Sequence, residues 1–158
     1  MEATAHGPAG QRSSEKLART ADTVVGATFL LVGVLGFVPG ITTDYGDLEL
    51  AGHESGAQLL GIFDVSILHN AVHLLFGVLG LLAARSGVNA VRYLVSGGIV
   101  YLALWVYGLA VDRHSEANFV PLDSADNWLH LILGLGMIGL GVVAHRRLRG
   151  DVGSQSPM

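Results

Sequence analysis

Cysteine is missing altogether, which removes disulfide scaffolds, thiolate metal sites and cysteine nucleophiles from consideration. Charge is scarce as well. Asp, Glu, Lys and Arg make up 14% of the 158 residues, where a soluble domain carries about 25%. Cations are the rarer sign, 9 Lys plus Arg against 13 Asp plus Glu, leaving a net charge of −4. No basic field forms to attract a polyanion, so a nucleic-acid binder is excluded. Apolar side chains stand in place of the missing charge, at 51% of the residues. A mean hydropathy of +0.51 excludes intrinsic disorder of the chain as a whole. The length suits one domain.

Four hydrophobic stretches are long enough to cross roughly 30 Å of hydrocarbon at about 1.5 Å per residue. They run over about 23–38, 59–84, 93–111 and 127–144. Lipid offers nothing to hydrogen-bond an open strand, so each is helical, and the fold class predicted is all-α, a four-helix transmembrane bundle. Arg12, Lys16 and Arg19 precede span one, Arg85 and Arg92 flank the turn between spans two and three, and Arg146, Arg147 and Arg149 follow span four. Only Arg113 falls on the other side. The positive-inside rule then puts both termini in the cytoplasm of a cell-membrane protein, with acidic loops outside carrying Asp44, Asp47, Glu49, Glu54, Asp112, Glu116, Asp123 and Asp126. Span one is expected to be retained rather than cleaved, since its basic leader is long and no small-x-small site follows Val38. Residues 1–20 and 148–158 are polar and small-residue-rich, and are expected to be disordered flanks of a 21–147 transmembrane domain.

Spans two and four share a pattern at an offset of 57: Asn70-x-x-His73-Leu74-x-x-Gly77 matches Asn127-x-x-His130-Leu131-x-x-Gly134. Both enter from the same side, as two parallel helical hairpins would, although spans one and three show no comparable match. At 100° per residue, Asn70, His73, Gly77 and Ala84 share one stripe, and Asn127, His130, Gly134 and Gly141 another. Asn and His are costly against lipid and small residues permit close helix approach, so the two stripes are expected to face each other. Their plainest role is a polar helix interface, with Asn70 and Asn127 bonding across it.

The second reading is chemical. His69 and His73, four residues apart, lie on one helix face at a spacing that suits one metal ion, and His130 would supply a third ligand. His73 and His130 could instead be opposed axial ligands of a haem, and the cluster would sense acid pH. The loop of about 20 residues after span one, with His53 and Glu54, is expected to be mobile and solvated, the alternative being that it folds over the outer mouth. Gly134-x-Gly136-x-x-Gly139 spells a dinucleotide fingerprint but has no strand before it, so its glycines are assigned to helix packing. Trp105, Tyr107, Trp128 and Tyr93 form an interfacial aromatic belt, and Tyr101 with Gly97 and Gly108 is assigned to the core. Ser66 and Ser96, the serines within the spans, have no base motif beside them; catalysis has no positive support.

The run from Leu60 to Gly77, with Asp64, His69, Asn70 and His73, and the run from Ala125 to Gly134, with Asn127 and His130, resemble domain-of-unknown-function family 4383, bacterial four-helix membrane proteins. The resemblance covers roughly residues 20–147 and implies a multi-pass plasma-membrane protein; it implies no reaction. The expected partners are the lipid bilayer and, for a structural or accessory component, a second copy or other membrane proteins.

Overall fold

The computed structural model describes residues 8–115 and 117–153. Among the described residues there are four α-helices: α1 Pro8–Leu35, α2 Ile67–Ala83, α3 Gly87–Ala110 and α4 Ser124–Gly153. Three of them, α1, α3 and α4, are long and apolar enough to cross a membrane, and α2 is a shorter apolar helix of 17 residues. Between α1 and α2 lies a small antiparallel sheet of β1 Thr42–Thr43, β2 Gln58–Leu59 and β3 Phe63–Asp64, in that spatial order.

The helix boundaries depart from the hydropathy reading in three places. First, α1 already begins at Pro8, so residues 8–20 are helical rather than disordered; Ala18 is fully buried in a cluster with Ala90, Val91 and Ala144. Second, α4 runs on to Gly153 because Leu148 packs on the same cluster. The expectations for residues 1–7 and 154–158 fall outside the described residues. Third, α2 starts at Ile67 rather than near Leu59, because the intervening residues form the β2–β3 hairpin, which turns at Leu60 and Gly61 with φ of 57° and 67°.

The first loop is a folded cap, not a mobile one. Ala57, Leu59 and Val65 bury together against Val32 and Leu35 of α1. The amides of Ile67 and Leu68, unpaired by the helix they begin, donate to the carbonyls of Glu49 and Leu50. The Gly52 amide donates to the Phe119 carbonyl at 2.7 Å, tying this cap to the loop between α3 and α4.

The helices pair as two hairpins, α1 with α2 and α3 with α4, which meet chiefly through α1, α3 and α4. α2 and α4 are therefore diagonal, and their stripes do not face each other as expected. Each stripe instead faces its own hairpin partner. A Cβ at Gly77 would meet Leu30 and the Gly26 carbonyl, and one at Gly134 would meet Leu102 and the Gly98 carbonyl. Gly36 opposes Asn70 and Gly108 opposes Asn127. Positions 57 apart in α2 and α4 thus meet positions 72 apart in α1 and α3. Of the fingerprint glycines, Gly134 alone serves packing among the described residues; a Cβ added at Gly136 or Gly139 would find no neighbour within 4 Å.

Candidate functional site

The N-terminal turns of α2 and α4 set the site. Ser66 caps α2, its hydroxyl accepting from the His69 amide at 3.1 Å. Asp123, 57 residues on, caps α4 by accepting from the Asp126 amide at 2.7 Å; these oxygens satisfy amides left free at a helix start. His69 therefore occupies the position that Asp126 holds in the other hairpin, and both are buried. The His69 Nδ1–H donates to the Asp64 carbonyl at 3.1 Å, since a carbonyl oxygen only accepts.

One turn further in, the histidines converge with two rings that the sequence assigns to the core or passes over. Centroid distances close a circuit: His73 to Phe29 5.9 Å, Phe29 to Tyr101 5.2 Å, Tyr101 to His130 5.1 Å, His130 to His69 6.5 Å and His69 to His73 4.6 Å. Phe76 packs edge-on against both Phe29 and Tyr101. Phe29 and Tyr101 are 72 positions apart, so each hairpin brings one aromatic ring against its own histidine. The two rings then stack on each other where the hairpins meet. The signal for this is a shared Gly-x-x-aromatic-Leu, Gly26 to Leu30 and Gly98 to Leu102, followed in each case after five residues by the glycine that opposes an asparagine.

The polar atoms repeat likewise. Asn70 Nδ2 donates to the Gly36 carbonyl at 2.9 Å. Asn70 Oδ1, Asn127 Oδ1, His73 Nδ1 and His130 Nδ1 are buried with no hydrogen-bond partner among the described residues, the same two atoms in each hairpin. The three histidines named from the sequence are thus brought together. Yet among the described residues no three His, Asp or Glu side chains are placed to hold a metal ion, and His73 and His130 each have an aromatic ring packed against them, Phe29 and Tyr101 respectively. His53 and Glu54 stay in the cap, and the Asp112 carboxylate accepts from the His114 amide at 3.0 Å within its own loop. Arg113 donates to the Ser124 hydroxyl at 2.8 Å.

Apart from the rings, the residue that sequence reasoning misses is Asp22. It is fully buried on α1, with neither carboxylate oxygen hydrogen-bonded among the described residues, and sits where the other hairpin has the equally buried Leu94.

Long apolar helices around a buried cluster of histidine, asparagine and aromatic rings define a multi-pass helical membrane protein. Within that class, the chain belongs to the family described as Domain of unknown function (DUF4383), whose match covers residues 19–143. No curated protein and no solved structure matches it significantly.

Proposed function

We propose that the protein is a structural or accessory component of the cell membrane, built from two equivalent helical hairpins that span the bilayer four times with both termini in the cytoplasm. The basic residues clustered at one end, eight of the nine in the chain, support the orientation through the positive-inside rule. The Asn-His stripes and the ring circuit fix the register of the helices. A polar contact between membrane helices contributes about 0.6 to 2 kcal/mol, and a buried aromatic pair adds about 0.5 to 1.5 kcal/mol beyond its area.

The observation that carries this reading is the Phe29–Tyr101 stack at 5.2 Å: beside the repeated histidines, the two hairpins meet through packed aromatic rings. The unpartnered Nδ1 atoms of His73 and His130 favour a second reading, metal or haem binding by His69, His73 and His130 in redox, metal handling or pH sensing. Detergent-purified protein separates the two by its Soret absorbance, its metal content and its melting midpoint at about pH 7.5 and 5.5, either side of the ordinary histidine range. A colourless, metal-free sample with similar midpoints is expected, and His73→Leu and His130→Leu should each lower stability by about 1–3 kcal/mol with no other change. A stoichiometric metal or a Soret band lost in those variants would replace the structural reading with the second.

A further inference from the structure

We propose that the groove between α3 and α4 at the arginine-bearing end holds one anionic glycerophospholipid, its phosphate on Arg92, Arg146 and Arg149 and an acyl chain along Val95, Ile99 and Val142. The groove encloses about 1050 Å³ and is walled mainly by apolar side chains, with the three guanidinium groups and His145 gathered toward one end. Among the described residues no acidic side chain lines it. From Arg92 to Ile99 it runs about 10 Å along α3 at 1.5 Å per residue, so the stretch beyond the arginine fits within one leaflet of a hydrocarbon core of about 30 Å. Val88 and Ile99 are more than half exposed, so the wall opens toward lipid rather than into the bundle. Guanidinium groups bind phosphate oxygens through paired N–H donors, and basic pockets between membrane helices suit anionic headgroups.

The equivalent place in the other hairpin shows what is particular to this one. Lys16, Arg19, Thr20 and Thr23 of α1 stand 72 positions before Val88, Val91, Arg92 and Val95. They line a smaller cavity of about 460 Å³ that also contains Glu15. There the cations have a polar wall and an acidic neighbour, and Arg19 Nε already donates to the Ala84 carbonyl at 2.9 Å. Of the two, the α3–α4 groove alone joins a cluster of cations to an apolar wall. A second copy is the poorer occupant, because a two-fold contact on this face would bring the same three arginines together with no lining acid among the described residues to offset them.

The inference rests on the membrane placement proposed above, but not on which end is cytoplasmic or on the role of the histidines. The test is native mass spectrometry of the full chain, delipidated in detergent and titrated with dioleoyl phosphatidylglycerol or dioleoyl phosphatidylcholine. One phosphatidylglycerol should be retained at a concentration at least about tenfold lower than phosphatidylcholine. The triple variant Arg92→Gln, Arg146→Gln, Arg149→Gln should lose that preference, while Arg12→Gln with Lys16→Gln should keep it. Ile99→Trp, which leaves every charge in place and fills the groove, should weaken phosphatidylglycerol retention and guards against misfolding of the triple variant. Equal retention of both lipids, a preference untouched by the triple variant and Ile99→Trp, or a dimer mass without lipid would each overturn the proposal. Failure of the membrane reading itself would show separately, as chain found outside the membrane fraction of cells.

Discussion

Gly36 and Gly108 have the same task in the two hairpins: each leaves room for an asparagine to lie flat against a helix backbone. A methyl group at either would collide with the amide oxygen of Asn70 or Asn127. Overpacking of this kind costs about 1–3 kcal/mol. Gly36→Ala and Gly108→Ala should therefore lower the melting midpoint in detergent to a similar extent, whereas Gly139→Ala, with open space around it, should not. Asp22 is the opposite case, a buried carboxylate without a partner among the described residues where the other hairpin places Leu94. Replacing an uncompensated buried polar group by a packed apolar one relieves a desolvation cost of about 1–3 kcal/mol. Asp22→Leu is expected to raise the midpoint; a fall would show that the carboxylate has a role the packing does not reveal. Of these residues the asparagines are legible in the sequence, because an Asn in an apolar run announces itself. Asp22 reads there as no more than the charge bordering span one, since its burial depends on how the helices pack around it.

At the level of elements, hydropathy finds all four helices but misplaces their ends, and the reason differs from end to end. Hydropathy measures suitability for lipid and is blind to a helix that continues past the bilayer, which is why it assigns Pro8–Thr20 and the last turns of α4 to disorder. Their small and apolar residues, Ala18 and Leu148, pack with Ala144 on Ala90 and Val91 of α3, a tertiary contact that periodicity does not announce. The start of α2 is obscured because Leu59 to Val65 is as apolar as a membrane segment, although it belongs to the β2–β3 hairpin, with Gln58 Nε2 donating to the Asp64 carboxylate at 2.9 Å. What ends the sheet and begins the helix is Ser66, fully buried, which sequence reasoning weighs only as a nucleophile. Loss of an N-cap side chain costs about 0.5–2 kcal/mol. Ser66→Ala should destabilise by about that much and speed hydrogen exchange at the His69 amide selectively, while Ser66→Asp should restore both. Unchanged exchange at His69 would remove Ser66 from the start of α2.

For the whole molecule, half of an internal repeat is visible in the sequence, and the visible half is the polar one. Asn and His stand out in a membrane span, so the offset of 57 is plain. The offset of 72 rests on Gly, Leu and an aromatic that is Phe in one copy and Tyr in the other, residues common in any apolar helix. The cap between α1 and α2 also hides it by making the two offsets unequal. What the repeat does not disclose is that each stripe packs within its own hairpin, and that the hairpins meet at the histidines through His69, Phe29 and Tyr101. The central claim is that two equivalent hairpins thread the membrane in the same direction, and a chain without cysteine permits a direct test. Single cysteines at Ser13, Leu50, Phe119 and Gly150, all exposed, would be treated with a membrane-impermeant maleimide in intact cells and again after permeabilisation. Labelling at 50 and 119 in intact cells, with 13 and 150 reacting only once the membrane is opened, is the expected result; positions 13 and 150 reacting from opposite sides would contradict it.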